Sequence, residues 1–301
     1  NSVSKYLNGY GVNLGKEIVI FTNNDSAYQT AIDFHHHNIN IAAVVDVRNN
    51  IESDIPLKVR NLGIKIYSGS IISNTTGRRK IKTVHIKKIN ENNVKVLNCD
   101  LLCMSGGWSP TVHLFTQSRG KLKFRDEDSC FIPHQAHQNS LSIGSCNGVF
   151  DLKNILKETY SSVNFFLNVD KKDSLDGKVF ESETIKIGKQ ENAWLINKEK
   201  IGKSKMFVDF QNDVTAKDIK IALSEGFQSI EHVKRYTTNG MATDQGKTSN
   251  VNALGIISEL TGQDISHLGT TTFRLPYTPV TFGAMAGRFV KEFFDIERTT
   301  S

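Results

Sequence analysis

Two short apolar runs with a helix-length stretch between them constrain the fold most. Glu17-Ile-Val-Ile-Phe21 reads as a buried strand, Thr22–Ala27 as a turn, Tyr28–His37 as a helix, and Ile39–Val45 as a second strand ending at Asp46. A strand–turn–helix–strand unit of this kind is the building block of dinucleotide-binding α/β sheets. Aligned on Gly-x-Gly-x-x-Gly, the three glycine positions hold Thr22, Asn24 and Ala27. Glycine is needed there so that the backbone can approach a pyrophosphate closely. Asn tolerates unusual backbone angles and Ala still permits close helix packing, so the fingerprint is degenerate. Asp46 falls where an acid would bind a ribose 2′-hydroxyl; the alternative is that it merely ends the strand.

Ile64–Tyr67 reads as a third strand. Lys80–Lys88 alternates through Ile81, Val84 and Ile86, and Val94–Leu97 follows after Asn92-Asn93, which predicts a hairpin or meander inserted in the unit. Cys99–Met104 reads as a buried strand. The run Met104-Ser-Gly-Gly-Trp-Ser-Pro110 resembles the second signature of two-dinucleotide-binding-domain flavoproteins, in which a strand ends in Ala-Thr-Gly-x-x-Pro. Ser140–Phe150 reads as a further strand and a small-residue turn. The resemblance implies that these elements close on a cofactor's pyrophosphate, with Gly106 and Gly107 in the first turn and Gly144 and Gly148 in the second. It also places the first strand–glycine–helix unit of the outer domain upstream of Asn1. The chain, which starts at Asn rather than Met, is therefore expected to be a portion of a longer protein.

The C-terminal third reads as three helices. Thr215 and Asp218 form a capping-box pattern, and Gly226 stops that helix. Ser229 can cap a second helix and Gly240 can end it. Gly246-Lys247-Thr248-Ser249 opens a third, Asn250–Thr261, ended by Gly262. A glycine, a lysine and a threonine at a helix start suit an anion, because backbone N–H groups, the helix dipole and an ammonium converge there. The alternative is a plain helix cap with a solvated lysine. A nucleotide-hydrolysing P-loop fails on spacing, because five residues separate Gly240 from Gly246 where that motif needs four, and a helix precedes the loop rather than a strand.

From about Val208 to Gly287, including Gly269-Thr-Thr-Thr-Phe-Arg-Leu-Pro-Tyr-Thr-Pro279, the chain resembles the alpha subunit of heterotetrameric sarcosine oxidase. The same stretch looks like a remote relative of the helical bacterioferritin-associated-ferredoxin domain, which holds an iron–sulfur cluster on four cysteines. The matching positions are Asp209, Gln211, Asp244 and a residue just beyond. No cysteine lies after Cys146, so thiolates cannot hold a cluster here.

The expected organisation is α/β: a doubly wound, Rossmann-type FAD/NAD(P)-binding domain of the pyridine nucleotide-disulfide oxidoreductase kind over 1–169, N-terminally incomplete. A charged connector follows over 170–205, with a short hairpin at Thr184–Gly188 and Ala193–Ile196. Then come a small helical domain over 206–288 and, at 289–301, the start of a linker to a folate-binding domain. Composition excludes other classes. The net charge of +6 is spread along the chain without aromatics interleaved on one face, which argues against nucleic acid. No apolar run approaches the roughly 20 residues of a membrane span. None of Cys99, Cys103, Cys130 and Cys146 stands in a C-x-x-C pair, which suits reduced thiols in a cytoplasmic protein. His35-His36-His37 point three ways on a helix and cannot chelate one metal well, and His134 and His137 lack ligands at metal spacing.

The sarcosine oxidase resemblance implies oxidation of sarcosine by oxygen to glycine and hydrogen peroxide, with the one-carbon unit passed to tetrahydrofolate. It implies NAD and FMN at this subunit, the FMN shared with a beta subunit whose FAD oxidises the amine, and smaller subunits besides. Tetrahydrofolate would bind only in the following domain. Two alternatives remain: an NAD(P)H-dependent flavin oxidoreductase in its own right, and a non-catalytic scaffold subunit of a related amine or proline dehydrogenase complex.

Overall fold

The computed structural model describes residues 1–167, 181, 182, 188–196, 198–275, 278 and 280–288. The first strand of the expected connector hairpin and the expected linker at 289–301 lie outside the described residues. Tertiary contacts divide the chain into two units. The first takes Asn1–Thr111, Lys123–Pro133 and Leu141–Ser204; the second takes Val112–Leu122, His134–Ser140 and Lys205–Ser301.

The first unit opens with helix α1 (Ser2–Tyr10), then strand β1 (Ile18–Thr22), α2 (Ser26–His36), β2 (Ile41–Asp46), α3 (Asp54–Asn61) and β3 (Ile66–Tyr67). A meander of β4 (Ser70–Gly77), β5 (Ile81–Lys88) and β6 (Val94–Asn98) follows, and β7 (Leu101–Ser105) returns to the first sheet. That sheet runs β3-β2-β1-β7, and all its pairs are parallel. Every residue of β1 is buried. Ile18 and Ile20 face one core with Tyr28, Ala31 and Phe34 of α2; Val19 and Phe21 face a second core with Ile71, Val84 and Ile86 of the meander. A strand covered on both faces needs no polar alternation, which is why β1 reads as a continuous apolar run. Burying each such side chain is worth about 1.5–3 kcal/mol.

The dinucleotide-type unit and the inserted meander therefore fold as the sequence predicts, with boundaries shifted by one or two residues. The meander gains one strand the sequence did not announce. β4 is Ser-Ile-Ile-Ser-Asn-Thr-Thr-Gly, and its second half is polar and exposed, so its strand character comes from pairing with β5 rather than from an apolar pattern.

Next come α4 (His113–Gln117), the antiparallel pair β8 (Lys121–Arg125) and β9 (Cys130–Gln135), and α5 (Leu152–Leu167). The strand expected at Ser140–Ile143 is not formed. Leu141 and Ile143 mimic a period-two pattern, but no strand among the described residues pairs with them, Leu141 is exposed, and the chain turns into a short 3₁₀ helix at Gly144–Asn147.

The second unit begins with a small hairpin, β10 (Phe207–Asp209) and β11 (Val214–Thr215). It continues through α6 (Ala216–Ser224), α7 (Ile230–Thr237), α8 (Asn250–Thr261), α9 (Ile265–Leu268) and α10 (Phe282–Ala286). Ile219, Val233, Leu254 and Ile257 are among its buried residues. At α6 the predicted capping box is present: the Asp218 carboxylate accepts the Thr215 N–H at 2.8 Å and its hydroxyl at 2.7 Å. α8 keeps its predicted limits and ends on Gly262. α7 stops earlier than predicted, at a left-handed Thr238, because the Gly240 N–H is drawn to Asp209 at 2.7 Å instead of closing a helical turn.

Candidate cofactor sites

In a sheet of this topology a ligand is expected beyond the C-terminal strand ends, where the strand order changes direction between β1 and β7. At the end of β1, the Thr22 hydroxyl bonds within its own turn: it donates to the Asn24 carbonyl at 3.0 Å and accepts the Asn24 N–H at 3.2 Å. Asn24 is buried, and its side-chain oxygen accepts the Ser26 N–H at 3.0 Å. Ala27 packs into the core beneath α2.

Asp46, fully buried at the end of β2, is already saturated. Its carboxylate accepts the Arg48 N–H at 2.9 Å, Arg48 Nε at 3.1 Å, Arg48 Nη2 at 2.7 Å and the Tyr28 hydroxyl at 2.7 Å. Arg48 also pairs with Asp25 at 2.7 Å, and all three side chains are almost wholly buried. Burial works against the charge on Arg48, but its bonds to Asp46 and Asp25 outweigh this and hold the guanidinium protonated. Burial, and then the Asp46 charge, push the Tyr28 phenol up. In the sequence Arg48 is marked only as a basic residue two places after a strand end, and Asp25 only as an acid at a helix start.

Of the other glycine positions, Gly107, Gly144 and Gly148 also serve the chain itself. Gly107, at φ +99°, lies against the Gln190 side chain, and any Cβ there would collide with it; a Cβ on Gly106 would meet nothing. The Gly144 N–H is bonded to the Glu158 carboxylate of α5 at 2.8 Å, and Glu158 also accepts Asn147 Nδ2 at 2.6 Å. Over Gly148 sits Arg125, which donates to its carbonyl at 2.8 Å and pairs with Asp128.

The loop before α8 follows the same pattern. Asp244 accepts the Gly246 N–H at 3.0 Å on one oxygen and the Thr248 hydroxyl at 3.0 Å on the other. The Gly246 carbonyl accepts the Ser249 and Asn250 N–H groups. Gly246 is buried with φ +72°, hard against Asn250, while Lys247 and Thr248 are exposed. An incoming phosphate would meet a carboxylate in the place where it needs donors, so this loop does not fit the phosphate cradle its sequence suggests.

Within the same unit, His113 of α4 is buried with its ring centroid 3.7 Å from that of Phe273. Burial first, and the Lys247 charge second, push its pKa down to about 4, so the imidazole is neutral at pH 7. The four cysteines form no disulfides. Burial pushes the Cys103 thiol up to about 11, and burial with the Asp128 contact pushes Cys130 up to about 12, so neither is a thiolate at neutral pH. Among the described residues, no three His, Cys, Asp or Glu side chains cluster as a metal site.

Residues 203–288 match the sequence profile of the sarcosine oxidase A3 domain. The alpha subunit of sarcosine oxidase from Corynebacterium sp. strain U-96 is 33% identical over 311 residues, covering 100% of this chain and 32% of that protein. The subunit from Rhizobium meliloti is 34% identical over 288 residues, covering 94% of this chain and 28% of that protein. Along its whole length the chain belongs to the sarcosine oxidase alpha-subunit family. It spans about a third of the length of these relatives. Its fold is shared with L-proline dehydrogenase from P. horikoshii, at a TM-score of 0.64 and 16% identity over 94% of this chain and 52% of that one. No helix among the described residues is long and apolar enough to cross a membrane.

In the A3-like segment, Asp209 and Gln211 join one hydrogen-bond network. Asp209 accepts the N–H groups of Gln211, Asn212 and, across the chain, Gly240. Gln211 in turn accepts the Thr243 hydroxyl at 3.0 Å, next to Asp244. Carboxylate and amide oxygens thus tie the β10–β11 turn to the loop between α7 and α8 with hydrogen bonds.

Proposed function

We propose that the chain acts within the alpha subunit of a heteromeric sarcosine oxidase, as a scaffold that helps to hold cofactors rather than as the centre of amine oxidation. The complex would convert sarcosine and oxygen to glycine and hydrogen peroxide and pass the one-carbon unit to tetrahydrofolate. The observation that carries this reading is the 33% identity to sarcosine oxidase alpha subunits over all of this chain. Amine oxidation would take place at a flavin of the beta subunit, because the hard chemistry of hydride removal belongs to a flavin oriented against its substrate. FMN would lie at the interface with that subunit, and NAD would belong to the alpha subunit.

A self-contained NAD(P)H-dependent flavin oxidoreductase is disfavoured by Asp46, whose carboxylate is committed to Arg48 and Tyr28. The test is oxygen uptake with sarcosine by the purified 301-residue chain supplied with FAD, FMN and NAD. No turnover is expected until a beta subunit is added. Sustained turnover without that subunit would overturn the assignment.

A further inference from the structure

We infer that residues 188–192 are an internal substitute for a dinucleotide: they fill the cleft at the ends of β1, β2 and β7, and NAD does not bind there. The inference does not depend on the substrate of the complex.

A dinucleotide in such a cleft needs three things: donors at the N-terminus of the helix after β1, an acid free to bind ribose at the end of β2, and a glycine turn that lets its pyrophosphate come close. Each has been taken by the chain. Asp25 stands at the N-cap of α2, so a carboxylate sits at the helix start a phosphate would approach, and it accepts the Gly188 N–H at 2.5 Å. Asp46 receives three bonds from Arg48 and one from Tyr28, which leaves no lone pair for a ribose. The glycine that allows close approach is on the strap instead. A Cβ on Gly188 would lie 2.9 Å from Arg48 Nη1, 3.2 Å from Ser53 Oγ and 3.3 Å from Asp25 Oδ2.

The rest of the strap follows the strand ends. The Lys189 carbonyl accepts Arg48 Nη1 at 3.3 Å, and the Glu191 N–H donates to the Asn23 carbonyl at 3.4 Å. Gln190 covers Gly107 beyond β7. The Asn192 amide joins Asn23 at 3.4 Å, Gln190 at 3.1 Å and Ser129. A pyrophosphate entering here would have to displace this segment, part Arg48 from two buried carboxylates and then sit beside Asp25. Its own charge opposes the last step.

The experiment is hydrogen–deuterium exchange of the 301-residue chain with and without 1 mM NAD⁺, together with photolabelling by an azido-adenine NAD⁺ analogue. Exchange in peptides covering 18–28, 44–50 and 188–196 is expected to be unchanged, with no label in them. Slower exchange at 20–28 or 46–48, release of 188–192 by NAD⁺, or label in any of these peptides would overturn the inference. Gly188→Val supplies a second arm in the assembled complex. Faster exchange of 188–196 by tenfold or more is expected, with the NAD content of the complex unchanged. A loss of half or more of that NAD in a folded variant would also overturn it. A complex that proved inactive on sarcosine would leave both readouts intact, so failure here and failure of the proposed function are distinguishable.

Discussion

Arg48→Met should be among the most damaging single substitutions in the first unit. In the parent chain the guanidinium is 2.7 Å from Asp25 and 2.7 Å from Asp46, with all three side chains nearly sealed from water. Methionine keeps much of the volume and removes the charge. Two carboxylates then face each other in a low-dielectric site with no cation between them. Breaking one buried pair costs about 3–5 kcal/mol, chiefly because the partner charge is left uncompensated. Two acids are stranded here, and the Tyr28 hydroxyl, the Gly188 N–H and the Arg48 backbone N–H still serve them, so a loss of about 4 kcal/mol is expected. Against a typical domain stability of about 5–15 kcal/mol this is severe. In urea, with a slope of about 2 kcal/mol per molar, the midpoint should fall by about 2 M. The triple variant Asp25→Asn, Asp46→Asn, Arg48→Met removes the stranded charges and should recover at least half of the loss, since neutral replacement of a buried ion network is often tolerated. The deficit of Arg48→Met should also persist in 0.5 M salt, because buried charges are poorly screened. A loss under about 1 kcal/mol, or one abolished by salt, would refute the claim that this triad is sealed and load-sharing.

The remaining expectations concern the second unit. His113 has a folded pKa of about 4, below its ordinary value near 6.5, so the unfolded chain takes up the proton first; stability is full above pH 6.5 and falls as pH drops toward 4. Between pH 7.5 and pH 5 the loss should be about 2 kcal/mol, and His113→Phe should flatten that slope in denaturant titrations; an identical slope in the variant would contradict the assignment. Thr215→Ala removes the hydroxyl that donates to Asp218 at the start of α6 and should cost about 1 kcal/mol by thermal unfolding, whereas a cost near zero would mean the box is not formed in solution. Anaerobically purified protein should contain no stoichiometric iron or acid-labile sulfide, because the helical unit has no cysteine; finding both would reverse that reading.

Local pattern was legible throughout this chain. The unbroken apolar run of β1, the helix between β1 and β2, the Thr215–Asp218 box and the limits of α8 are set by residues within a turn or two of each other. Their periodicity and capping chemistry can be read from the sequence without reference to any tertiary contact. The family was legible for the same reason, since its motifs are contiguous. β4 went unread, and a strand at Ser140–Ile143 was wrongly expected, because strand identity depends on a partner, and among the described residues polar β4 has one where apolar Leu141 and Ile143 do not. The fate of the glycine positions was decided at still longer range. Gly188 reaches Asp25 across 163 residues, Lys189 reaches Arg48 across 141, and Glu158 reaches Gly144 from the next helix. A helix start or a glycine turn offers the same donors to a phosphate or to a carboxylate of its own chain. Sequence alone determined where the Gly144 and Gly188 N–H groups stand along the chain, and only the tertiary structure determined that Glu158 and Asp25 are the groups that came to meet them.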